Sequence, residues 1–163
     1  MDESINNIKT EFHKLECDNE VLFIKFFEGY KNYYQLIDRF DVTTECKIKV
    51  MKKIIKVINK FNILTQLIKI QNGDGDNVYR NISDCKIYLK KILSLTKDND
   101  KIYNATIKIK GLVFTLCSLH EEFRQCKESD DILNVSFNNI KIINRFLITI
   151  NVCLNVFDSV FFT

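Results

Sequence analysis

Ile140-Lys-Ile-Ile-Asn-Arg-Phe-Leu-Ile-Thr-Ile-Asn-Val-Cys-Leu-Asn-Val-Phe-Asp-Ser-Val-Phe161 decides the fold class, because two periodicities run through it together. Ile148 to Val156 alternates apolar and polar side chains with period two, as does Leu133-Asn-Val-Ser-Phe137, and Asn138-Asn139 could turn a hairpin between them. The same segment places Ile140, Ile143, Leu147, Ile150, Leu154, Phe157 and Phe161 at helical spacing over a length greater than typical strands. Helix is the favoured reading, and an α+β fold with strands in 131–157 stays open. Asn144, Arg145, Asn151, Asn155 and Asp158 make the segment a poor membrane span, so a core helix is expected.

The rest of the chain favours helix more plainly. No Pro, no Trp and only four Gly in 163 residues leave little punctuation for the turns of a sandwich or barrel. A hydrophobic fraction of 46% is enough for one packed core and excludes a disordered chain. Amphipathic helices are expected over 3–16, with Ile5, Ile8, Phe12 and Leu15 on one face, and over 20–40 after a break at Cys17-Asp18-Asn19. The second carries a broad aromatic stripe that includes Phe26, Tyr30 and Tyr33, read as core or as the wall of a ligand groove. Further helices are expected over 44–71, 78–96 and 101–125. The last is the most uniformly apolar and is expected at the centre, with His120 at a helix end or surface. The expectation is an all-α single domain, 1–163, a compact bundle of six or seven helices around one central apolar helix.

Charge is distributed unevenly. Residues 1–45 hold five basic and ten acidic side chains, residues 46–73 seven basic and none acidic, and the whole chain sums to +3. So small a net charge does not point to nucleic acid by bulk attraction. Within 44–71, Ile54, Ile58 and Phe61 share the apolar face, while Lys49, Lys52, Lys53, Lys56 and Lys60 form a stripe opposite. Such a face is a solvated surface, or it meets a membrane, nucleic-acid phosphates or an acidic partner. No aromatic interleaves with these lysines and no arginine is among them, which disfavours nucleic acid.

Catalytic signatures are missing, and the chain reads as no enzyme. His13 and His120 sit on different expected helices, no Ser or Cys has a nucleophile elbow, and no carboxylate pair stands in an apolar context. The six cysteines contain no CxxC pair, and Cys117, His120 and Cys126 lack a fourth ligand for zinc. The loop Asn72-Gly-Asp-Gly-Asp-Asn77 has neither the Gly nor the Glu that a calcium loop needs at its sixth and twelfth positions. No cofactor or metal is expected. Met1-Asp-Glu-Ser4 has no signal-peptide character, which suggests a cytoplasmic protein with reduced thiols.

Val21-Leu-Phe-Ile-Lys-Phe-Phe-Glu-Gly-Tyr30 is similar to the first conserved amphipathic helix of the Bcl-type apoptosis regulators. Asp76-Asn77-Val78-Tyr79-Arg80 resembles the Asn-Trp-Gly-Arg turn of that family, with Val-Tyr where the family has Trp-Gly. In length and in its Ile, Asn and Lys richness the chain looks like the divergent poxvirus members. The resemblance implies a viral inhibitor of host apoptosis or innate immune signalling, in the host cytoplasm or at the mitochondrial surface. It would bind a death-motif helix in a hydrophobic groove or a signalling adaptor on an outer face. Arg80 would then meet the acidic residue of the ligand, with Phe26, Tyr30, Tyr33, Ile54, Ile58 and Phe61 near the groove.

Two rivals belong to other classes. One is a secreted, disulfide-bonded, cytokine-like bundle with glycans at Asn81, Asn104 and Asn134. The other is a basic amphipathic-helix protein acting on membrane or nucleic acid. Homodimerisation stays open in all three.

Overall fold

The structure is a computed structural model. It describes residues 2–37, 44–69, 75–127 and 132–161, with side chains over 6–29, 48–69, 76–125 and 140–160. Five helices and a short turn over 96–99 account for them: α1 (Asp2–Ile37), α2 (Thr44–Lys69), α3 (Gly75–Leu95), α4 (Asp100–Lys127) and α5 (Ile132–Phe161). No strand occurs among the described residues.

The expected count of six or seven fails at Cys17-Asp18-Asn19, where α1 runs straight through. That stretch holds no Pro or Gly, and Asn19 does not cap a helix. Its side chain is fully buried and faces α5, where its Nδ2 donates to the Leu147 carbonyl at 3.2 Å. Its Oδ1 accepts from Asn151 Nδ2 at 2.8 Å, and Asn155 Nδ2 donates to Asn151 Oδ1 at 2.9 Å. This ladder also explains why 140–160 mimics a strand. Asn151 and Asn155 are an i, i+4 pair on the α1-facing side of a helix, and Thr149 folds its hydroxyl onto the Arg145 carbonyl at 2.8 Å. The strand alternative for 131–157 is therefore corrected to helix over 132–157, and 131 lies outside the described residues.

Partner positions fix the topology. Lys69 meets Glu16, Lys60 meets Asp84, and Tyr79 meets His120, so α1/α2, α2/α3 and α3/α4 are antiparallel. Asn144 reaches the Ile8 carbonyl, Asn151 reaches Asn19, and Asp158 pairs with Lys25, so α5 runs parallel to α1 and closes the ring of neighbours. α4 is not the central helix: α2 packs on α1, α3 and α5, and α5 packs on α1, α2 and α4. The expectation for 101–125 is corrected here. α4 packs only on α3 and α5 among the described residues, and it leaves Ile107 46% and Phe114 53% exposed. The window 140–160 is long and apolar enough to cross a membrane by composition, and 56% of it is buried inside the bundle.

Phe26, Phe61, Phe146 and Phe157 are the largest sealed side chains of the core. Phe26 and Phe157 meet edge to face with ring centroids 6.5 Å apart, next to the Lys25–Asp158 ion pair. Truncating Asn19 to Ala removes both of its bonds and strands the Asn151 amide at a partly buried site. We expect a loss of about 2 kcal/mol in urea unfolding, against about half that for an ordinary exposed hydrogen bond.

Cysteines test the packing independently. Cys17 is exposed, whereas Cys85 and Cys153 are buried, and all are free thiols. Burial raises the Cys85 thiol well above its ordinary value and pushes Cys153 up to about 12. α3 and α5 share no Cα pair within 8 Å, too far apart for a Cys85–Cys153 disulfide. Iodoacetamide at mildly alkaline pH is expected to label Cys17 in the folded protein and to reach Cys85 and Cys153 only after denaturation, read by peptide mass spectrometry.

Candidate anion-binding groove

Two grooves flank α2. On the α3 side, Lys49, Lys52, Lys53 and Lys56 line one wall and Lys91, Ser94 and Leu95 the other, around a space of about 340 Å³. The lysines project there because the opposite face of α2, with Val50, Ile54, Val57, Ile58 and Phe61, is consumed by the core. The seven lining residues include no carboxylate. The nearest acid on α3, Asp84, is engaged by Lys60 at 3.1 Å, which takes the fifth residue of the expected stripe out of the groove.

Tyr88 of α3 is not among the lining residues but lies under two of them, with the Lys53 and Lys56 ammoniums each 5.5 Å from its ring centroid. Desolvation by the surrounding side chains, then the neighbouring Lys56 and Lys91 charges, pull Lys53 below the ordinary lysine value. Like charges gathered in one groove repel one another, and an anion seated between them relieves that repulsion.

On the α1 side, Phe23, Ile24 and Phe27 face Asn62, Thr65 and Gln66 around about 450 Å³. This larger groove is closed at one end by its own ion pair, Lys69 with Glu16 at 3.0 Å. Its polar and apolar groups are mixed, and it gathers no charge of one sign.

Of the expected apolar groove residues, Phe26, Ile54, Ile58 and Phe61 line neither space. Phe26 is 2% exposed, and Ile54, Ile58 and Phe61 are completely buried, so the bundle itself consumes the face that was to hold a ligand helix. Tyr30 and Tyr33 lie in α1, and their side chains fall outside the described residues. Arg80 is exposed near the start of α3, about 16 Å along the helix axis from Lys91 at 1.5 Å per residue. It therefore joins neither the lysines nor the core.

His120 is also placed differently from expectation, only 2% exposed beneath Tyr79, with ring centroids 4.6 Å apart. Tyr79 donates its hydroxyl to the Glu121 carboxylate and accepts from Arg124 Nη1 at 3.4 Å, which latches α3 to α4. No group of three or more His, Cys, Asp or Glu arranged to hold a metal occurs among the described residues.

The α2 half of the cationic groove is legible in the sequence, and the α3 half is not. Tyr88, Lys91 and Leu95 do share one helix face at i, i+3 and i+7. Without the α2/α3 pairing, nothing joins that face to the α2 lysines. The aromatic missing from among the α2 lysines stands instead on the neighbouring helix, as Tyr88. Comparison with protein families, curated proteins and solved structures finds no match to this chain.

Proposed function

We propose that this chain is a non-enzymatic helical protein-interaction module that binds an acidic segment of a partner protein in the α2/α3 groove. One observation carries the reading: five lysines line one open groove that has no carboxylate in its lining. Catalysis has no comparable support, since the one hydroxyl of the lining, Ser94, donates back to the Lys91 carbonyl of its own helix at 2.7 Å. The Bcl-type resemblance supplies the first partners to try, host regulators of apoptosis or innate immune signalling. Those partners would act in the host cytoplasm or at the mitochondrial surface. Because Ile54, Ile58 and Phe61 are sealed, the reading seats the partner on the charged outer face of α2 and not in an apolar slot.

The experiment is fluorescence anisotropy of a Glu-rich and a Lys-rich peptide against the full chain across a salt series. Saturable binding of the Glu-rich peptide alone, weakening steadily as ionic strength rises from about 0.05 to 0.5 M, is the expected result. Equal binding of both peptides, or binding indifferent to salt, would contradict the reading.

A further inference from the structure

Both walls of the cationic groove carry the repeat of a helix. Lys49, Lys52, Lys53 and Lys56 stand at i, i+3, i+4 and i+7 on α2, and Lys91 and Leu95 stand one turn apart on α3. The α2 lysine row is about 10 Å long, two turns at 1.5 Å per residue. Carboxylates at the same four positions of a third helix advance by the same rise. Laid lengthwise, such a helix meets the whole row. An extended strand repeats its same-side residues at about 6.6 Å, which approximates only the four-residue step of the row. Leu95, the one apolar side chain of the lining, offers an apolar contact beside the charges, suited to the flank of an amphipathic helix.

Resting on the reading above, we infer that the occupant is an acidic amphipathic helix of a partner protein, seated lengthwise between α2 and α3 with carboxylates at i, i+3, i+4 and i+7. Charge complementarity selects an acidic ligand. None of the large exposed apolar side chains, Phe114, Ile107 and Val21 among them, lines this groove, so it has no wedge to insert into lipid.

Three probes are titrated against the full chain. One is a helix-forming acidic peptide of about 20 residues with Glu at those four positions and Leu on the adjacent stripe. The second has the same composition in scrambled order and is interrupted by two prolines, and the third is phosphatidylserine/phosphatidylcholine vesicles. The helical peptide is expected to bind at least about tenfold more tightly than the interrupted one, and K53E/K56E to weaken it by about tenfold or more. Equal affinity for the two peptides would overturn the helical occupant while leaving an acidic segment in place. Failure of both peptides would overturn the acidic-segment reading as well. Vesicle binding in preference to the helical peptide would overturn both in favour of a membrane surface.

Discussion

Phe61→Ala is expected to lower the unfolding free energy by about 4 kcal/mol, a large fraction of the roughly 5–15 kcal/mol that holds a domain of this size together. Phe61 is completely buried, on the α2 face that also carries Ile54, Ile58 and Leu64. Removing the ring forfeits its burial and leaves a cavity that the surrounding rigid helices cannot fully collapse. The change also separates two accounts of the same residue. A phenylalanine lining an open binding groove is already partly wet, so its truncation weakens the partner and barely moves stability. A core phenylalanine does the reverse. Urea unfolding followed by circular dichroism reads the difference, and a loss under about 1 kcal/mol would reopen the groove account.

The second large effect is expected from K53E/K56E/K91E, which should weaken an acidic peptide by about a hundredfold or more, because attraction is replaced by like-charge repulsion at three points. Folding should not suffer. Lys53 stands over Tyr88 under the fields of Lys56 and Lys91, and reversing the three puts carboxylates beside the remaining Lys49 and Lys52. The thermal midpoint is therefore expected to stay level or rise. A variant that loses binding and melts early would mean that these lysines serve the fold. Anisotropy and a melting curve on the same sample decide between the two.

How much of this was legible depended on whether a residue's role was local. α2 could be read to within a few residues because its two faces differ in every turn, apolar at Ile54, Ile58 and Phe61 and cationic at Lys49, Lys52, Lys53 and Lys56. Asn19 and Asn151 misled in opposite directions for one reason. Each is polar because it bonds across the α1/α5 interface, so Asn19 looked like a helix break and Asn151 like the polar beat of a strand. A side chain's partner 132 positions away leaves no trace in local periodicity. α4 misled through composition, since Phe114 and Ile107 are apolar yet face outward, with Lys86 lying over the Phe114 ring at 4.7 Å. The site divided in the same way. The lysines of α2 were visible as a stripe, but Lys91, Ser94 and Leu95 become part of a groove only once α3 folds back antiparallel.

The bundle and the proposed site make one joint claim, that apolar faces are spent on packing and the α2/α3 lysines are left to bind. Amide and lysine side-chain NMR shifts during titration with the helical acidic peptide test it most directly. The account predicts perturbations confined to Lys49, Lys52, Lys53, Lys56, Tyr88, Lys91, Ser94 and Leu95, with the core around Phe61 and Phe146 unmoved. Perturbations centred on Phe23, Ile24 and Phe27 in the α1/α2 groove, or spread through the core, would contradict it.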